Sequence, residues 1–205
     1  MLHSELLGDH LPTRVVSGAG QLCQLGKLTA ELGGQVFLVS DPGIVAAGHV
    51  GRGIESMEAA GLTVCLFAGA EENPTTETID RGLAEAKKFD PDVIVAIGGG
   101  SSMDCAKGVN FLLTNGGTMH DYHGVGKATQ PMLPMIAVPT TSGTGSEVTP
   151  ISIVTTGKSE KMGVVSPVIL PDIALLDPEL TLALPAPVTA ATGIDAMVHA
   201  IEAYA

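Results

Sequence analysis

Several short stretches of the chain combine residue types that bind or transform small molecules. Gly98-Gly-Gly-Ser-Ser-Met-Asp104 is the densest of them. Glycines without a Cβ let backbone approach a ligand closely. A helix starting near Ser101 would add unpaired N–H groups and the positive end of its dipole, together a cradle for a pyrophosphate. The spacing departs from the common GxGxxG dinucleotide fingerprint. A tight strand-to-helix turn that merely needs glycine therefore stays open as the alternative. Pro139-Thr-Thr-Ser-Gly-Thr-Gly-Ser-Glu147 supplies a second run of hydroxyls and glycines, suited to phosphate, ribose or an amide, or else to a plain surface loop.

Asp41 stands before Pro-Gly at the end of an apolar run. A carboxylate at a strand tip can accept both hydroxyls of an adenosine ribose and repel a 2′-phosphate, although Asp in this setting is also an ordinary turn former. Asp195 and His199 lie four apart, hence on one face of a helix, where an oxygen and an imidazole nitrogen could share a divalent cation. Glu202 continues that face and could orient His199. A hydrogen-bonded surface pair would look the same, and two protein ligands are fewer than a catalytic metal usually takes. His120 and His123 flank Asp121, a pattern read as a hydrogen-bonded turn. His3 and His10 fall near the N-terminus, and His49 falls on a polar helix position.

The elements that must carry these residues alternate. Strand patterns cover Arg14 to Ser17, Gln35 to Ser40, Leu62 to Phe67, Asp92 to Ile97 and Pro134 to Val138. Helical periodicity covers Leu22 to Leu32, Ile44 to Ala60, Thr75 to Phe89 and the residues after Ser101 to about Leu113. Alternation of this kind implies βαβ units and a parallel sheet with helices on both faces. Ile151 to Thr155, Lys161 to Val165 and Ile173 to Leu176 are short strand-like pieces, read as an appended β-hairpin. Leu184-Pro-Ala-Pro187 reads as a linker. Val188 to Ala205 is helical to the last residue without a cap, the pattern expected of a chain that is cut.

Bulk properties restrict the partners. Ten basic against 22 acidic residues give a net charge of −12, which disfavours nucleic acid and anionic membrane. Hydrophobic residues at 45% with aromatics at only 3% suit a core of buried parallel strands. Cys23, Cys65 and Cys105 form no CxxC pair, as in a cytoplasmic protein with reduced thiols. The N-terminal segment lacks the cationic and apolar regions of a signal peptide. No apolar run approaches the roughly 20 residues of a membrane span.

Taken in order, Asp41-Pro-Gly, Glu72-Asn-Pro-Thr75, the Gly98 and Pro139 motifs and Gly193-Ile-Asp-Ala-Met-Val-His-Ala-Ile-Glu-Ala-Tyr204 resemble the iron-containing (group III) alcohol dehydrogenases over essentially the whole chain. The resemblance implies a Rossmann-like, dehydroquinate synthase-like NAD-binding α/β domain over 1–184. Residues 185–205 would then be a linker and the first helix of an all-α metal-binding domain whose remainder is absent. It further implies that Asp41 holds the adenosine ribose of NAD, with Asn73 near the adenine. Gly98, Gly99, Gly100 and Ser101 would bind pyrophosphate, as would Asp104 through its neighbourhood. Thr140, Thr141 and Thr144 would border the cofactor, and Lys161 would reach the nicotinamide ribose. Asp195 and His199 match the first two ligands of a metal, usually Fe²⁺ and sometimes Zn²⁺. The implied reaction is hydride transfer between an alcohol or aldehyde and NAD(H), and the implied assembly is a homo-oligomer. Glycerol dehydrogenases share the architecture but differ in fingerprint. A catalytically inert NAD-binding fragment is the other reading.

Overall fold

The computed structural model describes residues 12–128, 130–157 and 160–205. His3 and His10 lie outside the described residues. The frame is a six-stranded, wholly parallel sheet. Along the chain its first strands are β1 (Arg14–Ser17), β2 (Gln35–Val39), β3 (Thr63–Phe67) and β4 (Val93–Gly98). A short β5 (Gly124–Val125) follows, then β6 (Met135–Pro139), β7 (Ile151–Thr155), β8 (Lys161–Val165) and β9 (Ile173–Leu176). The main sheet runs β1-β9-β6-β4-β2-β3, while β5-β8-β7 form a separate three-stranded sheet.

The three strand-like pieces after Ile151 therefore part company. Two of them, β7 and β8, make the expected antiparallel hairpin. That hairpin forms its own sheet with β5, whereas β9 enters the main sheet between β1 and β6. Ile173, Ala174 and Leu175 are buried, as an interior parallel strand requires.

Strand alternation sends side chains to two cores. Phe37, Val39, Ile94 and Ala96 face one, packed by α4 (Thr76–Phe89), α5 (Gly100–Asn115) and the hairpin. Val36, Leu38, Val93, Val95 and Ile97 face the other, packed by α1 (Leu25–Ala30) and α3 (His49–Ala59). The single helix expected from Ile44 to Ala60 is divided: α2 (Pro42–Ala46) ends short of Gly48, whose φ of 82° breaks the helix before α3 begins. His49, expected on a polar position, opens α3 buried, with Nδ1 unpartnered; burial, then Arg52, lowers its pKa.

The last helix, α6 (Ala186–Tyr204), starts inside the expected linker, and none of its residues is buried. Among the described residues no helix is long and apolar enough to cross a membrane.

Candidate functional site

The order in which strands are added to the sheet reverses between the parallel neighbours β2 and β4. From β2 the chain passes through α3 to β3 on one side; from β4 it passes through α5 to β6 on the other, over the opposite face. Outside the carboxyl ends of two such strands the connections diverge and leave a crevice, the usual ligand position in open α/β sheets. A cleft of about 800 Å³ occupies this place. Its lining comes from the residues after β2 (Asp41, Pro42), β3 (Ala70, Glu71, Glu72), β4 (Gly99 to Ser102) and β6 (Thr140, Thr141), with Thr144 and part of α6.

Each wall has a local cause. Asp41 caps α2, its Oδ1 accepting the Ile44 N–H at 3.0 Å, while Oδ2 accepts the Ser102 hydroxyl at 2.9 Å. The turn-former reading is thus satisfied by one oxygen, and the carboxylate still borders the cleft. Gly98 lies under Ser102, where any Cβ would overlap the serine side chain. At the N-terminus of α5, Gly99 makes no side-chain cap, so its first N–H groups remain available to a ligand. A Cβ on Gly99 or Gly100 would press on Thr141 or Thr144 at 3.2 and 3.1 Å.

Thr140 and Thr141 supply the test of fit for a dinucleotide. Both hydroxyl oxygens are buried without a hydrogen-bond partner among the described residues, and both residues line the cleft. Buried polar groups are nearly always bonded, so orphans at a cleft wall mark a place where a ligand completes the set. Free helix N–H groups, space opened by glycine and unpaired hydroxyls fit a phosphorylated, hydroxyl-bearing ligand.

A second cavity of about 590 Å³ adjoins the first through Gly100, Ser101 and Thr144. Asn73, Asp104, Lys161, Asp195 and His199 line it. Asn73, left-handed at φ 54°, donates its backbone N–H to Ser101 Oγ at 3.3 Å. It therefore stands on the His199 side of the cleft, while Asp41 stands on the other.

Asp195 Oδ1 and His199 Nε2 are 3.7 Å apart, within the span of two donors sharing one ion at about 2.0–2.2 Å each. His199 Nδ1 lies 3.1 Å from the Gly143 carbonyl. This carbonyl, and not Glu202, orients the ring. A proton on Nδ1 leaves Nε2 as the free lone pair. Gly143 is the only residue type that fits, because a Cβ there would overlap the Thr192 carbonyl of α6. Among the described residues no group of three or more His, Cys, Asp or Glu side chains could hold a metal. The chain offers a pair of ligands, which fits a divalent cation only in part.

Beneath the second cavity lies a network that motif reading stopped short of. Helix α5 is buried on nearly every side, so a polar group in it must be bonded. Lys107, fully buried, donates to the carbonyls of Ser146 (2.6 Å), Thr149 (2.9 Å) and Ile151 (2.9 Å). Asp104, one turn earlier, accepts the Ser146 hydroxyl at 3.2 Å. Burial raises the Asp104 pKa to about 6, opposed by Lys107 and Ser146; burial lowers Lys107 to about 8, opposed by Asp104 and Glu147. Burial also raises Glu147. A lysine three residues after Asp104 marks the place in the sequence, but its acceptors lie 39 or more positions away and no local pattern names them. Asp121 closes a capping box with Thr118 on the 3₁₀ turn Met119–Tyr122, the hydrogen-bonded turn expected there.

Comparison with known proteins gives a consistent result. The family described as iron-containing alcohol dehydrogenase matches residues 12–178. Alcohol dehydrogenase 4 of Schizosaccharomyces pombe is 41% identical over 197 residues, 95% of this chain and 47% of that protein. A solved 1,3-propanediol oxidoreductase superposes with a TM-score of 0.91 at 37% identity, covering 95% of this chain and 51% of the other. The sulfoacetaldehyde reductase of Bifidobacterium kashiwanohense, solved in complex with NAD⁺, gives 0.79 at 32% identity, over 90% of this chain and 50% of that one. The chain spans about half the length of the relatives it matches.

Proposed function

Because this chain belongs to the iron-containing alcohol dehydrogenase family, we propose that it is the dinucleotide-binding half of a metal-dependent oxidoreductase exchanging hydride between an alcohol or aldehyde and NAD(H). The observation that carries the reading is the pair of buried, unpartnered hydroxyls of Thr140 and Thr141 on a cleft that faces the uncapped N-terminus of α5.

In this reading the N–H groups of Gly100 and Ser101 hold the diphosphate, aided by the positive end of α5. Asp41 accepts the ribose hydroxyls of the adenosine. Thr140, Thr141 and Thr144 satisfy polar atoms along the cofactor. Lys161 borders the adjoining cavity, where the nicotinamide end and substrate would meet, and Asn73 lines that same cavity, away from the adenine side that the resemblance implies for it. Asp195 and His199 would be the chain's two metal ligands, with Gly143 fixing the imidazole tautomer. A cation held by Asp195 and His199 would supply Lewis-acid polarisation of an alcohol oxygen, and a nicotinamide in the cleft would supply the hydride acceptor or donor.

Residues 1–184 are taken as the NAD-binding unit and 185–205 as the linker and opening helix of a metal-binding helical unit. The exposed apolar side chains of α6, Ile194, Met197 and Ile201 at 63–64% exposure, support a further helical layer against it. Two ligands are fewer than catalysis requires, so the 205-residue chain should bind NADH with little turnover. That ligand shortage also favours a second reading, an NAD-binding fragment without activity. Titration of the chain with NADH, followed by nicotinamide fluorescence, tests both; absence of saturable binding would sink both. Adding Zn²⁺ or Fe²⁺ separates them: cation binding that needs Asp195 and His199 supports the oxidoreductase half, and cofactor binding alone supports the inert fragment.

A further inference from the structure

Ser102 is 1% exposed, and its hydroxyl reaches from the phosphate-facing end of α5 to Asp41 Oδ2, 61 positions away in sequence. The other carboxylate oxygen is held by the Ile44 N–H. Gly98 makes this contact possible, since the space a Cβ would take there is filled by the serine side chain. Each carboxylate oxygen accepts about two hydrogen bonds, so a two-point anchor fixes the group and leaves a lone pair on each oxygen. Both residues line the cleft.

We propose that Ser102 is a specificity-positioning residue: by pinning the Asp41 carboxylate at the cleft wall, it makes the site favour a dinucleotide with a free ribose diol over one bearing a 2′-phosphate. The inference rests on the dinucleotide reading above. A 2′-phosphate brings about two negative charges at neutral pH against a carboxylate that cannot retreat. Without the serine hydroxyl, Asp41 keeps only its helix-capping bond and can turn away from the phosphate. The diol ligand would lose some order at its partner, and the phosphorylated ligand would lose its repulsion. The two affinities therefore approach each other.

Dissociation constants for NADH and NADPH, measured on the full chain by cofactor fluorescence, test this. Ser102→Ala removes one atom and places a strong helix former in α5, so the fold is retained, as circular dichroism can verify. The NADH preference should fall about tenfold, the scale of one lost hydrogen bond to a charged group. Asp41→Asn keeps a good helix cap but removes the charge, so Ser102→Ala added to it should leave the ratio unchanged. Equal weakening of both cofactors by Ser102→Ala would assign the serine a purely structural role and overturn the proposal. So would a change of ratio in the Asp41→Asn background. A wild-type chain that binds both cofactors equally defeats the specificity inference alone, and one that binds neither defeats the dinucleotide reading with it.

Discussion

His199 Nδ1 and the carbonyl of Gly143 meet at 3.1 Å, joining α6 to the glycine-rich loop after β6. One polar contact thus links the helix carrying both candidate metal ligands to the loop that borders the cleft proposed for the dinucleotide. It also decides which ring nitrogen is free. With Nδ1–H donated to the carbonyl, the neutral imidazole presents Nε2 toward Asp195, 3.7 Å away. Nitrogen-15 NMR of the imidazole at a pH where the ring is neutral should report the Nδ1-protonated tautomer. In Gly143→Ala, a Cβ would overlap the Thr192 carbonyl, so the contact should be lost and the spectrum should move toward a tautomer mixture. An Nε2-protonated ring in the unsubstituted chain would contradict the assignment.

Lys107→Met keeps the unbranched stem, one atom shorter, and deletes the ammonium. The carbonyls of Ser146, Thr149 and Ile151 lose their shared, fully buried donor, and Asp104 loses the cation that most favours its ionised form. Breaking a buried charged network by removing one partner costs about 3–5 kcal/mol. Urea denaturation should show a loss of that order, from the midpoint shift at constant slope. A loss below about 1 kcal/mol, the scale of a surface substitution, would mean the segment from Ser146 to Ile151 is held by other means.

The same pair gives a pH dependence with a definite sign. Burial raises Asp104 to about 6 in the fold, against about 3.9 in an unfolded chain. Ionising it therefore costs stability that is fully lost above about 6 and is recovered as pH falls from 6 toward 4. Burial lowers Lys107 to about 8, against about 10.4 unfolded. Its protonation costs stability below about 8, recovered as pH rises from 8 toward 10.4. Because Lys107 favours the Asp104 carboxylate, Lys107→Met should move the Asp104 midpoint above 6. Carbon-13 shifts of the carboxyl group would follow it; an unchanged or lower midpoint would show that the two charges do not sense each other.

How much of this was legible beforehand depends on the range of the interaction. The parallel sheet was readable because β4 and β6 are continuous apolar runs and the helices between strands keep their periodicity. Asp41, the Gly98 motif and the loop from Thr140 to Thr144 meet at one cleft because each immediately follows a strand, so their sequence positions already fixed their end of the sheet. The placement of β9 between β1 and β6 was not readable, since four short apolar residues carry no register information. The helix break at Gly48 was masked by continuous apolar spacing on either side. Ser102 and Lys107 escaped attention for another reason: their partners lie 61 and 39 or more positions away, and no local pattern encodes a contact at that distance. Likewise Glu202 was the nearest acceptor along the helix, but the folded chain supplies Gly143 from another element.

Thr140 and Thr141 separate stability from binding. Their hydroxyl oxygens have no partner among the described residues, so replacing either threonine with valine should remove no hydrogen bond. Thr140 is fully buried, and an unpaired hydroxyl there is a burden that a methyl group of similar size relieves. Thr140→Val should leave the fold as stable as before, or stabilise it by up to about 1 kcal/mol. If the hydroxyl is kept for a ligand, the same substitution leaves a polar atom of the dinucleotide unpaired and weakens NADH binding about tenfold. Thermal unfolding and cofactor fluorescence on one protein sample read the two effects separately. A destabilised variant with unchanged NADH affinity would reverse both expectations and make Thr140 a structural residue with an internal partner.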